Sequence, residues 1–553
     1  MKIAAAVVAA TLLTPSIYAQ TLSETIEVRV TNIDVVVTDR SGKPVTGLTG
    51  DDFEVSEAGK PQPITNFYEI RDSTSTNPVD GTETEAPVVP TEVGRRRIVI
   101  FVDNYSIHPL SRNAAFKALE RSLDVVMRPG DEVMIAFWNG QQDVIAPFSG
   151  NKAELIRRFR DAASHTSGGM TIETVKARIV EHASQMLADA KAPGGKMKIT
   201  VPQAYTASLE SARNFSEELF NSEQNLLGGL TDTITTLAGV EGKKALIFLG
   251  SELPDNPGME LFQQIDGMFQ FDMQGIRPAM IREQGRNLSR QLRALARHAN
   301  ANGVTLYMVD TADRVRGGDP GTHMMEAEAA FATETNTPLA MATIASLTGG
   351  IAVRGGKTFE SAIDTIAHDL SSYYSIGYRS PAGGNGDRRI TVKVKRPGLR
   401  VRSRSSYVAR QGDDDIRDRV IANVYHSSVK SDFPVSIIAG APERLSDGSG
   451  QFKVRLTVTL PSTLTFIPQD DKLTGEFAVF FATGKENGDL SPVSKAVQPM
   501  KFPGNAREAL EAQKTFTYTA ILLVRPGEQV VSVGVTDTLA GTTGFARTKL
   551  IAQ

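Results

Sequence analysis

Ile98-Val-Ile-Phe-Val-Asp103-Asn-Tyr-Ser106 is an apolar run that stops abruptly in polar residues, and Ala245-Leu-Ile-Phe-Leu-Gly-Ser251-Glu252 repeats the pattern later in the chain. A strand buried on both faces reads this way when it belongs to a parallel sheet. Between the two lies a glycine-rich segment, Ser167-Gly-Gly-Met-Thr171. Ligands of open α/β sheets bind at the carboxyl ends of the strands, so the polar ends at Asp103 and Ser251 are where a site is expected.

Working outward, strands and helices alternate. The strand ending at Asp103 leads to a helix over 111–127, whose Ala115, Leu119, Leu123 and Val126 recur at helical spacing and which stops before Pro129-Gly130. Strands over 131–138 and 143–148 are joined by the turn Asn139-Gly140. Helices over 151–163, 171–189 and 207–238 precede the strand 244–250, and helix 284–301, strand 303–310 and helix 338–347 follow it. The order predicts an α/β domain, a doubly wound and mostly parallel sheet with helices on both faces. Insertions at 190–204 and 253–283 interrupt it, and the second, with Met259, Phe262, Met268 and Phe269, is expected to overhang the strand ends.

Both flanks read as β. Period-two patterns at 25–70 and again at 373–408 predict short strands, and a small sheet without a second layer would leave its apolar face wet. The segments 20–71 and 373–409 are therefore expected to share one β domain, with 72–94 a linker and 95–372 the inserted α/β domain. Arg95-Arg-Arg97 reads as the solvated end of that linker. After the charged break Gln411-Gly-Asp-Asp-Asp415, residues 416–553 alternate strands with Gly, Pro and Asp turns and no convincing long helix, which predicts a β-sandwich.

The 553 residues exceed what one core supports. A net charge of -3 gives no sign of a nucleic-acid or membrane field. With no Cys in the chain, thiol nucleophiles and thiolate metal sites are excluded. Lys2, the apolar run Ile3 to Leu13, Pro15 and Ala19 read as a signal peptide over 1–19, and no later run approaches the ~20 apolar residues of a spanning helix. The expectation is a protein exported to the periplasm or beyond the cell, without a membrane span.

In order and spacing, the segments around Asp103, Thr171 and Ser251 resemble the metal-ion-dependent adhesion site of a von Willebrand factor type A domain. Val35-Val-Val-Thr-Asp39-Arg-Ser-Gly-Lys-Pro44-Val-Thr-Gly-Leu48, with Asp52-Phe53-Glu-Val, Tyr373-Tyr374 and Gly377-Tyr378, is similar to the exported von Willebrand factor A-related proteins abundant in Acidobacteria. The resemblance covers about residues 25–409 and implies a binding role. It also implies a Mg²⁺ site from Asp103, Ser106, Thr171 and Glu252, but one that has drifted. Tyr105 and Ile107 stand at the two serine positions, Ser106 is one place out of register, and Glu252 or Asp255 must replace the carboxylate lost at Ser251. The competing reading is that Asp103 caps the turn that follows it.

Asp103, Ser106 and His108 also suggest a hydrolase, but no Gly-x-Ser-x-Gly elbow, His-Glu-x-x-His or phosphate loop accompanies them. The sequence thus predicts a non-enzymatic module that binds a protein ligand, and no nucleic acid, through an edge shaped by Asp103, Tyr105, Ser106, Thr171, Ser251 and Glu252. A scaffold subunit of an envelope assembly, its metal site vestigial, is the alternative, and a hydrolase the third.

Overall fold

The computed structural model describes residues 29–71, 74–76, 95–162, 164, 166, 168–192, 199–250, 253–270, 272, 287–311, 340–354, 359–380, 387–408, 412–427, 429–485, 489–512 and 514–553. Residues 1–19, read as a leader, most of 72–94, read as a linker, and Ser251 and Glu252 lie outside them.

The centre is a mixed α/β unit around a six-stranded, mostly parallel sheet. From one edge its strands run Ala352–Arg354, Val304–Asp310, Lys243–Gly250, Arg96–Asp103, Glu132–Trp138 and Gln142–Ser149. Only the last is antiparallel, paired back onto Glu132–Trp138 through the turn at Asn139 and Gly140, where Gly140 takes φ +86°. Ile98, Ile100 and Val102 bury into one layer, under helices Pro109–Val126, Lys152–Ala162 and Phe359–Ser371. Val99 and Phe101 bury into the other, under Val201–Thr235 and Ser289–Asn302. Two-sided burial explains why these strands are apolar without alternation.

The flanking β segments are joined by strand pairing. Arg29–Thr38 pairs with Ser372–Ser380, which also pairs with Ile64–Arg71, and Asp387–Val394 pairs with Phe53–Glu57. The two sheets so formed close on Ile33, Val35, Phe53, Phe67, Tyr374, Ile376 and Ile390. Thr74–Thr76, inside the expected linker, adds a short edge strand.

In the carboxyl-terminal part, two antiparallel sheets enclose a core of Val454, Leu456, Val479, Val533 and Val535. The sequence predicts no long helix there, and the part opens on one of ordinary length, Asp413–Tyr425, 13 residues. It packs Ile416, Val420 and Val424 against Phe480 and Phe545 on one side and meets Val240 of the central unit. Asp413, Asp414 and Asp415, read as a break, occupy its first turn, where the positive end of a helix favours carboxylates.

A correction concerns Arg96 and Arg97, each 2% exposed rather than solvated. Arg96 Nε lies 3.0 Å from Asp131 Oδ2, and its guanidinium also donates to the carbonyls of Val126 and Leu370. One buried ion pair thus ties the start of the strand to the ends of two helices. Among the described helices none is long and apolar enough to cross a membrane.

Candidate functional site

Strand order reverses at one place in the central sheet. From Arg96–Asp103 the chain steps to Glu132–Trp138 on one side, and later returns to Lys243–Gly250 on the other before continuing outward through Val304–Asp310. The crevice outside the carboxyl ends at such a reversal is where open α/β sheets bind ligands. Here it lies between Asp103 and Gly250.

Asp103 ends its strand 1% exposed. Its Oδ1 accepts the amides of Tyr105 and Ser106 at 3.2 and 3.3 Å, and its Oδ2 accepts the Ser106 hydroxyl in a short contact. The carboxylate therefore organises the loop that follows, as a capping residue does. Ile107 is fully buried, Tyr105 packs half-buried against the sheet core, and His108 accepts the Leu110 amide at the start of the next helix. That helix-capping contact gives His108 no catalytic partner among the bonds it makes.

The glycine-rich segment is set against this loop. Gly168 N–H donates to the Asn104 carbonyl at 3.1 Å, and a Cβ on Gly168 would stand 2.5 Å from the Tyr105 oxygen. The helix Gly169–Lys191 starts there, so Thr171 is exposed in its first turn. Asp103 and Ser106 are thus in direct contact, and Thr171 is on an adjoining turn. Ser251 and Glu252 lie outside the described residues. Asp255, the alternative carboxylate, accepts from Ser289 Oγ at 3.1 Å.

Sequence reading missed Asn104 and Arg112. Asn104, 1% exposed, donates to Asn139 Oδ1 and the Thr166 carbonyl, both at 2.6 Å, and accepts from Arg112 Nη1 at 2.7 Å. It pins three loops together. Arg112 is 2% exposed, and burial lowers its pKa. Asp310, 5% exposed, ends the next strand in register with Gly250, and the Thr311 amide donates to the Gly250 carbonyl at 2.9 Å.

Mg²⁺ takes near-octahedral oxygen ligation. Among the described residues, Asp103 and Ser106 are in contact, and no three His, Cys, Asp or Glu side chains gather in a way that could hold a metal ion. Ile107, buried in the core, and Tyr105, packed on the sheet, stand at the two serine positions, and the expected ligand Glu252 lies outside the described residues.

Of the insertion expected to overhang the strand ends, residues 253–270 and 272 are described, and 273–283 lie outside the described residues. Helix Met259–Phe269 buries Leu261, Phe262, Ile265 and Phe269 against Ala183, Met186, Tyr205 and Leu209 of two neighbouring helices, rather than against the sheet edge. Two large apolar side chains instead stand in the open at this edge: Leu110, 73% exposed, and Met170, 56% exposed, each in the first turn of a helix that begins at the crevice.

No protein-family model matches the chain, and no curated protein matches it. Solved structures similar to it include an aerotolerance-related membrane protein from Bacteroides fragilis, 9% identical over 50% of this chain and 98% of that one, with a TM-score of 0.21. The protein BatB from Bacteroides thetaiotaomicron is 10% identical over 50% of this chain and 97% of that one, at 0.20. The three N-terminal domains of the type V pili tip protein Mfa5 from Porphyromonas gingivalis are 9% identical over 78% of this chain and 75% of that one, at 0.25.

Proposed function

We propose that this chain is an exported, non-enzymatic binding module of the von Willebrand factor A-related kind, which holds a protein ligand at the carboxyl edge of its parallel sheet. The observation that carries the reading is the reversal of strand order between Asp103 and Gly250, with Leu110 and Met170 exposed on the helix starts beside it. Contiguous exposed apolar patches rimmed by polar residues mark protein interaction sites, and Met is enriched in interfaces. Tyr105 and Thr171 form the polar part of that rim.

Binding at this edge is independent of metal, because Asp103 spends its oxygens on Ser106 and the loop amides. Ser106 donates to a buried carboxylate and His108 is turned to the Leu110 amide instead, which fits a non-enzymatic role for the edge. Calorimetric titration of Mg²⁺ and Mn²⁺ into the purified protein tests this, and no saturable heat is expected. Saturable binding that disappears in Asp103→Ala would restore the metal-gated site.

A further inference from the structure

At the opposite, amino edge of the central sheet, a cleft of about 1060 Å³ opens where the three parts of the molecule meet. Arg404 enters it from the paired β segments, Lys243 and Lys244 from the foot of a sheet strand, and Arg419 from the carboxyl-terminal helix. Two of these four cations have carboxylate partners. Lys243 Nζ is 3.0 Å from Asp34 Oδ2 and lies over the Tyr373 ring, and Arg419 Nη1 is 3.5 Å from Asp415.

Among the described residues, the hydrogen bonds of Lys244 and Arg404 go to carbonyls, and the Arg404 guanidinium also lies over the Tyr407 ring. Lys244 Nζ donates to Val240 O at 2.9 Å, while Arg404 donates to Asn300 O at 3.1 Å and to Asn32 O at 2.5 Å, and the buried Arg404 Nε has no hydrogen-bond partner. The two charges converge. A Cβ built on Gly303 would lie 3.7 Å from Lys244 Nζ and 4.0 Å from Arg404 Nη1, and Gly303, at φ +66°, leaves that space open. Burial first, then the charge of Arg404, pushes the Lys244 pKa down to about 8, and burial lowers that of Arg404.

Carbonyls satisfy hydrogen bonds without neutralising charge. The end of the helix Ser289–Asn302, beside Asn300, supplies about half a negative unit charge against two positive ones. Asp34, paired with Lys243, also acts on both cations and the exposed Glu241 acts on Lys244, but Lys243 and Arg97 add further positive charge beside them. Like charges held together in a half-buried cleft favour a counter-ion. We infer that the cleft binds an oxyanion, the carboxylate or phosphate group of a small molecule, between the Lys244 ammonium and the Arg404 guanidinium. Arginine suits planar, two-pronged recognition of such groups and lysine adds a point charge. An anion there would clamp the paired β segments onto the central sheet, because Arg404 and Lys244 come from different sides of that junction.

Calorimetric titration of the full chain with inorganic phosphate and, separately, with succinate, at constant ionic strength set by chloride, tests the inference. One saturable equivalent is expected from at least one titrant, and the arm that saturates identifies the phosphate or carboxylate source. Lys244→Gln removes only the bond to Val240 and should weaken that binding at least tenfold, as should Arg404→Gln. If Arg404→Gln fails to fold, Lys244→Gln carries the test. Absence of saturation in both arms, or an affinity unchanged in folded Lys244→Gln, overturns the site.

Discussion

Gly169 begins its helix so close to Ser106 that a methyl group on it would lie 2.5 Å from the Ser106 carbonyl oxygen. The obstacle is backbone, which cannot swing aside. Gly169→Ala should therefore destabilise the protein by about 1–3 kcal/mol through overpacking. Gly228, exposed in the middle of a long helix with nothing within 4 Å of its Cβ position, is the control. Gly228→Ala should instead stabilise by about 0.5–1 kcal/mol. Urea unfolding of both variants checks the opposite signs.

Asp103 is a structural anchor whose two oxygens differ in their tasks. Asp103→Asn keeps an acceptor for the Tyr105 and Ser106 amides and should cost about 1 kcal/mol. Asp103→Ala leaves both amides and the Ser106 hydroxyl to find other partners and should cost about 2–3 kcal/mol. Equal losses by chemical denaturation would show that the loop does not lean on the carboxylate.

The buried Arg96–Asp131 pair should be far more sensitive than its exposed counterparts. Both side chains are at most 2% exposed, and Asp131 also accepts the Arg128 amide at 2.8 Å. Asp131→Ala would leave a buried guanidinium uncompensated, at about 3–5 kcal/mol. Glu120→Ala, breaking the exposed pair with Arg160, should change stability by less than about 1 kcal/mol.

His426 gives the molecule an acid-sensitive joint. Its ring lies against Phe148, with centroids 4.2 Å apart, and its Nδ1 stands 3.9 Å from Glu132. Burial, followed by the charges of Arg97, Arg547 and Lys244, pushes its pKa from 6.5 down to about 3. The Glu132 carboxylate is too distant to hold the ring charged against that burial. Between pH 6.5 and about 3 the unfolded chain binds a proton that the folded chain refuses, so this contribution is complete above pH 6.5 and is lost as pH falls. His426→Asn should flatten the fall in urea midpoint between pH 7 and pH 4.5, and an identical slope in both proteins would contradict this.

The sheet was legible because two-sided burial writes itself as uninterrupted apolar runs, and Asp103 with Ser106 was legible because their bond closes within one turn. Other features have no local signature. Arg96 and Arg97 look solvated until Asp131 and Glu132, on a neighbouring strand and the turn before it, come alongside them. Asn104 and Arg112 act through Asn139 and Thr166, brought near only by the sheet. The helix Asp413–Tyr425 was hidden by its acidic start, since the three aspartates read equally well as a linker. The placement of Phe262 and Phe269 depended on two helices whose mutual packing the sequence does not display.

The claim that the carboxyl edge is the recognition face is tested most directly by site-specific photo-crosslinking in the cells that produce the protein. A benzophenone amino acid is placed at Leu110 or Met170, and at Ile438 as a control, which is 69% exposed on the carboxyl-terminal part. Discrete protein adducts from positions 110 and 170, undiminished by a chelator, and none from 438, are the predicted result. Adducts from 438 with none from 110 or 170 would contradict the account and move recognition to the β domains of a scaffold.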